Sequence, residues 1–323
     1  MKYMTFFEVY DKWLEEHKAE VKETSFANYL FRRKVFSYYI AEDTDICTLD
    51  EERMKAFFER FHNEGKSRRY MDDMLMVFRM VMRFAEKSGV ANLPSIDWKL
   101  KDISSVRIGS KTKPHAKRYT VEDYERIVEV FKTNPTPAGL AVIVTMFTGL
   151  RIGEACGLKF SDIDIDKSVM HIQRTCVPID KGVQKMYHPD EDIQKSCRLQ
   201  TPKSVTSDRF IPIIPPLRRL LRGYTNVYPG KYFVSTFKAQ PSHVRMLRCQ
   251  FIQMCKEAGV AYIGYHSLRH TFATQMIEKG VDIKTVSSIL GHSGVEITMD
   301  VYCHPSDDTK RAGIQKAFRP LLK

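Results

Sequence analysis

Three short motifs near the C-terminus decide the fold: Gly264-Tyr-His-Ser-Leu-Arg-His-Thr271, Ile289-Leu-Gly-His-Ser-Gly294 and Thr298-Met-Asp-Val-Tyr-Cys-His304. The apolar spacing within and after the first motif predicts a helix from Ser267 to Lys279. His266 and Arg269, three residues apart, then lie on one face at the N-terminal end of that helix. Because a helix N-terminus with an added guanidinium attracts negative charge, this end is a candidate anion site.

Two further reactive side chains follow this helix. His292 comes directly after Gly291, and the phenol of Tyr302 lies ten residues beyond His292. A phenol becomes a nucleophile when a base takes its proton as it attacks. An anion site, two imidazoles and a phenol in one short segment therefore predict phosphoryl transfer to tyrosine.

Together with two upstream motifs, these residues resemble the signature of the tyrosine recombinases, the phage integrase family. The C-terminal part of the resemblance rests on His266-Ser-Leu-Arg269-His-Thr, Leu290-Gly-His292-Ser and Tyr302. The upstream part rests on Thr148-Gly-Leu-Arg151-Ile-Gly-Glu154-Ala-Cys-Gly-Leu158, similar to the first arginine motif, and on Thr201-Pro-Lys203-Ser204, similar to the β-hairpin lysine. The spacing from His292 to Tyr302 is longer than in Xer-type sequences and resembles integrases of Gram-positive phages and conjugative elements.

The resemblance implies a mainly α fold with a small β-sheet or hairpin in the second domain, arranged as a two-domain DNA clamp. Residues 1–100 are then a SAM-like helical core-binding domain, and residues 101–118 a basic linker. Residues 119–323 are then an α+β tyrosine recombinase catalytic domain with a C-terminal tail helix. These boundaries are expectations of the sequence.

Arginines suit the chemistry of a DNA phosphodiester. Attack on this anion builds further charge on the non-bridging oxygens, and a guanidinium supplies an always-charged, forked pair of donors without a metal. We assign Arg151 and Arg269 to this clamp. Taken singly, Arg151 could instead form a surface ion pair with Glu154, three residues on. We interpret Glu154 as a structural residue that could orient Arg151.

The resemblance gives each remaining reactive residue a role. Tyr302 attacks phosphorus and forms a 3′-phosphotyrosyl bond. Because a phenol has a pKa near 10, a base must take its proton, and His266 is that base. His292 is a second donor to the phosphate, and Lys203 protonates the departing 5′-oxygen. The structural alternatives are a packed tyrosine, a turn histidine and an ordinary surface lysine. We expect no metal and no cofactor, and the chain lacks a G-x-x-x-x-G-K-[ST] motif.

Composition is compatible with a DNA partner. The chain has 323 residues, a formal charge of +12 and a pI near 9.2, which suits a polyanion, although other basic proteins share this balance. Seven scattered cysteines, never spaced C-x-x-C, favour reduced cytosolic thiols over disulfides or zinc. The absence of an 18-residue apolar run and of a signal peptide predicts no membrane association and a cytoplasmic, nucleoid-associated protein.

The first hundred residues predict a bundle of four helices. Thr5-Phe-Phe-Glu8 and Thr48-Leu-Asp-Glu51 are capping-box patterns for the first and third helices. The second helix is expected from Ser25 to Ile40 and the fourth from Ser67 to Ser88, with the methionines and phenylalanines in the core. Six basic residues are candidate DNA contacts, although a solvated face explains each cluster nearly as well: Arg32, Arg33, Arg68, Arg69, Lys111 and Lys113.

In the second domain, Thr120 is a helix start and Leu140 to Phe147 an apolar run typical of a buried helix. Turn residues between the strand-like segments 198–200 and 209–213 predict that Lys203 lies in or beside a hairpin turn. The polar stretch from Asp180 to Gln194 is expected to be a loop insertion. Further helices are expected from about Pro215, over residues 243–258 and, in the tail, over residues 307–318.

The resemblance implies site-specific DNA recombination, used for integration and excision, inversion or resolution. By the same resemblance, the expected partners are two double-stranded DNA recombination sites, three further copies in a homotetramer, and a possible directionality factor. The helical domain begins almost at residue 1, which favours a simple recombinase without an added N-terminal arm-binding domain. The main alternative is a non-catalytic DNA-binding protein that retains the fold; a metal-dependent nuclease is a third.

Overall fold

The computed structural model describes residues 4–100, 118–193, 196–201, 205–292 and 294–296. Within these ranges the chain forms twelve α-helices: α1 (Phe6–His17), α2 (Glu23–Phe36), α3 (Glu51–Asn63), α4 (Arg68–Lys87), α5 (Val121–Thr133), α6 (Pro137–Thr148), α7 (Ile152–Gly157), α8 (Lys181–Tyr187), α9 (Pro215–Thr225), α10 (Val244–Glu257), α11 (His266–Glu278) and α12 (Ile283–Leu290). The same ranges contain five strands: β1 (Ile163–Asp164), β2 (Val169–Ile172), β3 (Thr175–Pro178), β4 (Cys197–Gln200) and β5 (Arg209–Pro212). No helix in the described part is long and apolar enough to cross a membrane.

The chain divides into two compact units. A helical unit comprises the described residues of Met1–Thr112 and Ile179–Ser196, and a catalytic unit those of Lys113–Pro178 and Cys197–Lys323. Segment 179–196 thus belongs to the helical unit, although the chain enters it from β3 and leaves it into β4. The domain boundaries given by the sequence remain predictions.

Local capping chemistry sets the helices of the helical unit. The Thr5 hydroxyl accepts from the Glu8 backbone and the Glu8 carboxylate from the Thr5 backbone, which confirms the predicted capping box of α1. The box predicted at Thr48 is wrong, because the side chain of Asp50 is the cap and accepts from Arg53 N at 2.9 Å. The second helix also differs from its predicted bounds: α2 begins at Glu23 and ends at Phe36.

The core of this unit is aromatic and methionine-rich, as the sequence predicts. The rings of Phe6 and Phe36 meet edge to face with centroids 5.4 Å apart, and Phe57 stacks on Phe36 at 5.5 Å. Helix α4 adds the buried Met74 and Phe78. Each fully buried side chain of this size contributes about 1.5–3 kcal/mol relative to leaving it exposed, so packing rather than polar contacts holds the bundle together.

The stretch predicted as a polar loop contains a helix, α8. The Asp180 side chain caps it by accepting from Gly182 N at 2.8 Å, a local signal that the polar composition obscured. The ring of Tyr187 at its end packs edge to face on Phe26 of α2 with centroids 5.6 Å apart. His188 Nε2 lies 2.7 Å from the Glu23 carboxylate. The loop prediction is therefore wrong for residues 181–187.

The catalytic unit is built around the apolar helix α6. Its residues Leu140 to Val144 are buried, which confirms the predicted buried helix. Helices α5, α7, α10 and α11 pack around it. Thr120 forms the predicted N-terminal cap of α5 together with Asp123. This arrangement places the C-terminal end of α6, where Gly149 begins the first arginine motif, next to α11.

Two small antiparallel sheets complete the catalytic unit. One has the order β1-β2-β5, and β3 pairs with β4 in the other. Because β4 and β5 pair with different partners, the prediction of a hairpin turn between them is wrong: the segment from Thr201 to Asp208 connects two sheets. The sequence signals missed β3, which lies close to α7. Lys203 itself lies outside the described residues.

Candidate active site

The predicted pair at the start of α11 occupies its first turn. His266 is the first residue of the helix and Arg269 follows one turn later, as the spacing predicts. The side chain of Arg269 is almost fully enclosed, with 1% of the residue exposed. Its guanidinium donates from Nη1 to Gly149 O at 3.0 Å and from Nη2 to Leu290 O at 2.8 Å. Backbone carbonyls thus fix this cation without neutralising it.

Arg151 also donates to the backbone carbonyl of Leu290. It precedes α7, where its backbone N–H and Nη1 both donate to the Glu154 carboxylate, at 2.9 and 2.8 Å. Nη1 also donates to Leu290 O at 3.3 Å and Nη2 to Gly291 O at 2.9 Å. The two arginines assigned to the phosphate clamp therefore share one acceptor, Leu290 O. Arg151 is the partly exposed member of the pair.

Two glycines supply carbonyls that hold these arginines. Gly149 ends α6 with φ 67°, and Gly291 ends α12 with φ 66°, a left-handed backbone that side chains with a Cβ rarely adopt. A Cβ on Gly149 would also lie 2.8 Å from Leu290 Cδ2. The carbonyl of Gly149 accepts from Arg269 and that of Gly291 from Arg151. Both helix ends are therefore part of the site.

The two imidazoles of the predicted site are neutral at pH 7. Burial lowers the pKa of His266 to about 4, with smaller contributions from His270, Arg269 and Arg151. Burial likewise lowers the pKa of His292 to about 4, helped by the charges of the nearby arginines. A neutral imidazole can accept a proton or donate its single N–H. The base role predicted for His266 needs this state, and the donor role predicted for His292 is compatible with it.

A third arginine, absent from the sequence prediction, completes the site. Arg209, at the start of β5, donates from Nη1 and Nη2 to the Glu154 carboxylate at 3.1 and 3.0 Å. Its Nε donates to Ile289 O at 2.6 Å. The sequence carried a signal for this residue. Arg209, Ile211 and Ile213 alternate and all three are buried, and a buried cation needs a partner of opposite charge. We call Arg151, Arg209 and Arg269 the arginine cluster.

Glu154 is the acidic member of the site. Its burial would raise the pKa of the carboxyl, but the hydrogen bonds and charge of Arg209 and the charge of Arg151 outweigh this effect and lower the pKa. Glu154 is therefore ionised, and it orients Arg151 as the sequence interpretation allowed. Within the described ranges, no group of three or more His, Cys, Asp or Glu residues has the geometry to hold a metal ion.

The described residues bring together four of the six predicted catalytic residues: Arg151, His266, Arg269 and His292. Lys203 and Tyr302 lie outside the described residues, as do the tail after Tyr302 and the predicted DNA contacts Lys111 and Lys113. The roles of all six remain predictions.

The basic residues predicted to contact DNA in the helical unit differ in their surroundings. Arg33 donates to both carboxylate oxygens of Asp11, at 2.7 and 2.8 Å, and to Glu42 at 3.0 Å. Its guanidinium also lies 4.7 Å from the Phe7 ring centroid. These contacts hold Arg33 on its own surface.

The other three arginines are held less firmly. Arg32 pairs with Asp73 at 3.2 Å and Arg68 with Asp72 at 3.1 Å. Arg69 is exposed and has no ion pair with any residue that the structure describes. Of the four, Arg69 is therefore the most available for a phosphate, and the DNA contacts remain predictions.

Comparison with known proteins identifies the family of this chain. Residues 117–309 match the sequence profile described as the phage integrase family. The chain belongs to the phage integrase family. The match contains all six predicted catalytic positions, from Arg151 to Tyr302.

The curated relatives are tyrosine recombinases. A tyrosine recombinase XerC-like protein of Caldanaerobacter subterraneus subsp. tengcongensis is 28% identical over 271 residues, which cover 78% of this chain and 66% of the relative. The chain spans about half to two thirds of the length of the first curated relatives it matches.

Solved structures of integrases share the fold. The Tn1549 transposon integrase, solved with transposon right-end DNA, is 19% identical with a TM-score of 0.77, covering 97% of this chain and 99% of that one. A lambda integrase tetramer on a Holliday junction is 16% identical with a TM-score of 0.64, covering 94% and 78%. The predicted fold class, mainly α with small antiparallel sheets in the catalytic part, is confirmed.

Proposed function

We propose that this protein is a site-specific tyrosine recombinase that cuts and rejoins double-stranded DNA through a 3′-phosphotyrosyl intermediate, without metal or cofactor. The observation that carries the proposal is the convergence of Arg151 and Arg269 on Leu290 O, beside two neutral imidazoles. Fixed cations in a partly enclosed site stabilise charge as it develops on a phosphate without reorganising during the reaction.

The proposed cleavage step follows from these groups. The Tyr302 oxygen attacks phosphorus, its proton passes to neutral His266, and a bond to the phenolic oxygen forms. Arg151, Arg269 and a His292 N–H stabilise charge on the non-bridging oxygens. The bond from phosphorus to the 5′-oxygen breaks, and Lys203 protonates that oxygen to release a 5′-hydroxyl. The phosphoester is kept in the protein–DNA bond, so the reverse reaction rejoins DNA without ATP.

The proposed partners are DNA sites and further copies of the chain. The Tn1549 integrase is solved with DNA and lambda integrase as a tetramer on a Holliday junction, and a homotetramer on two recombination sites is proposed here by that likeness. The +12 formal charge supports binding to a polyanion in the cytoplasm. A directionality factor would choose between integration and excision.

The test is covalent trapping. End-labelled duplex from the flanks of the gene, nicked near the crossover so that the cleaved end cannot religate, is incubated with protein in EDTA. We expect a protein–DNA adduct on a denaturing gel that is absent with Tyr302→Phe. An adduct that survives in Tyr302→Phe would overturn the nucleophile. Binding to this DNA with no adduct would indicate instead a non-catalytic DNA-binding protein.

A further inference from the structure

The pair of Arg209 and Glu154 is buried at the edge of the site and takes no part in the steps proposed above. The side chains expose only 6% and 4% of their surface, and the guanidinium of Arg209 donates to Glu154, Ile289 O and Ser207 O. Burying two charges costs several kcal/mol per ion before their attraction is counted, and an apolar pair of similar size is often as stable. Fold stability alone therefore explains this pair poorly.

Arg209 has contacts that reach beyond Glu154. Its Nε donates to Ile289 O at 2.6 Å, in the last turn of α12, and its Nη1 donates to Ser207 O at 3.1 Å. Gly291 packs directly on it: a Cβ there would lie 3.0 Å from Arg209 Cδ and 2.8 Å from Thr206 O. The C-terminal end of α12 thus packs on the first residues of β5 and on the turn that precedes β5.

Three parts of the site meet at this side chain. Through Glu154 it reaches Arg151, which shares that carboxylate. Through Ile289 O it holds the helix end that precedes His292. Through Ser207 O it fixes the C-terminal end of the connection that carries Lys203.

We infer that Arg209 is a positioning residue for strand cleavage. It shares the negative charge of Glu154 with Arg151 and thereby fixes the positions of Arg151 and His292. The inference rests on the proposed function. Glu154 Oε1 accepts from both Arg151 and Arg209. Without Arg209, the buried carboxylate has Arg151 as its only cationic partner among the residues that the structure describes, and it draws that guanidinium inward. Arg151 is then less available to the phosphate.

The experiment compares two substrates. Single-turnover adduct formation is measured with Arg209→Met on the nicked duplex carrying either the ordinary phosphodiester or a neutral methylphosphonate at the scissile position. The methylphosphonate lacks the charge that the clamp stabilises. We expect a loss of about 10²-fold on the phosphodiester, the size expected for a misplacement of about 1 Å, and a clearly smaller loss on the methylphosphonate. DNA affinity should be unchanged.

A matched control comes from the same unit. Arg174 and Asp162 form another ion pair, with Nη1 2.6 Å from Oδ2, in which Asp162 is buried and Arg174 is 22% exposed. Neither has a hydrogen bond to the arginine cluster among the described residues. Arg174→Met should reduce adduct formation equally on both substrates, in proportion to the folded fraction. An equal loss on both substrates with Arg209→Met, or no loss at all, would overturn the inference.

Two further variants address folding. Glu154→Gln combined with Arg209→Met removes both buried charges, and we expect it to form adduct faster than Arg209→Met alone, because Arg151 is no longer drawn to a carboxylate. Arg209→Lys keeps the charge beside Glu154 but loses the fixed set of donors, so its loss of rate should be smaller than that of Arg209→Met. A double variant no faster than Arg209→Met would contradict the inference. Wild-type protein that gives no adduct would instead refute the proposed function, and the inference with it.

Discussion

The arginines of the helical unit and those of the catalytic unit are held in opposite ways. Arg68 bonds to a single carboxylate, that of Asp72, which is itself about half exposed. The arginine cluster, by contrast, is held by backbone carbonyls and by Glu154, which is 4% exposed. Exposed ion pairs contribute about 0–1 kcal/mol, so their arginines can exchange a carboxylate for a phosphate at little cost.

The difference teaches that one residue type serves two purposes according to its acceptors. A surface arginine can exchange its carboxylate for a phosphate when DNA binds, and that contact increases the affinity for DNA. An arginine fixed by carbonyls cannot follow the DNA, but it keeps its charge where phosphate charge develops. Mutations in the two groups should therefore separate binding from catalysis.

Arg269→Lys should nearly abolish cleavage. Lysine keeps the charge but cannot donate in two fixed directions to Gly149 O and Leu290 O. We expect single-turnover adduct formation to fall by on the order of 10²–10³, the usual effect of losing one preorganised donor. DNA affinity, measured by gel shift, should be nearly unchanged. A parallel loss of affinity would mean that the buried arginine acts in binding.

Gly291→Ala should destabilise the protein. The alanine would need a left-handed backbone and would place its Cβ 2.8 Å from Thr206 O, and the backbone strain alone costs about 1–2 kcal/mol. Denaturant unfolding measures the change. Gly223→Ala is the matched control, because Gly223 lies in α9 with open space around it and should become slightly more stable. Equal effects of the two substitutions would refute this account of α12.

Stability should fall in acid through the site histidines. His292 has a pKa of about 4 in the folded chain, against about 6.5 when unfolded. Between these values the unfolded chain binds a proton that the folded chain does not, so the free energy of unfolding decreases as pH falls from 6.5 to 4. His292→Asn should flatten this dependence in urea titrations. His171→Asn, at an imidazole paired with the exposed Asp208, is the control, and equal slopes would contradict the prediction.

The smallest effects are expected on the helical unit. Arg69→Ala should weaken DNA binding and reduce the slope of log affinity against log salt by about 0.9, the value for one phosphate contact. Arg33→Ala should leave that slope unchanged, because its guanidinium is held by Asp11 and Glu42. Fluorescence anisotropy over a range of salt concentrations measures both. A larger slope change for Arg33→Ala would show that surface pairing does not decide which arginine meets DNA.

What the sequence predicted well is local. The caps at Thr5 and Thr120 were predicted correctly because a helix start depends on a few neighbouring groups. The pair His266 and Arg269 was placed correctly because three residues span one helical turn. Even local signals compete, as at Thr48, where the carboxylate of Asp50 caps α3 instead.

What the sequence could not give is pairing over long distances. Arg209 and Glu154 are 55 positions apart in the sequence, and no local sequence pattern near either residue indicates that the two form a pair. The turn residues between β4 and β5 likewise do not indicate their separate partners: β4 pairs with β3, which packs on α7, whereas β5 pairs with β2 and packs on α12. The reactive residues were recognisable by type, whereas the contacts that hold them in place depend on the completed fold.

The carbonyl groups at the C-terminal end of α12 determine the stage of chain synthesis at which the site can form. Arg151 and Arg269 take acceptors from Leu290 and Gly291, which are synthesised long after Arg151. A nascent or truncated chain that stops before α12 has the cations but lacks both the acceptors that aim them and Tyr302, the proposed nucleophile. We therefore expect partial chains to bind DNA without nicking it, so that the capacity to break a chromosome arises only when the polypeptide is nearly complete.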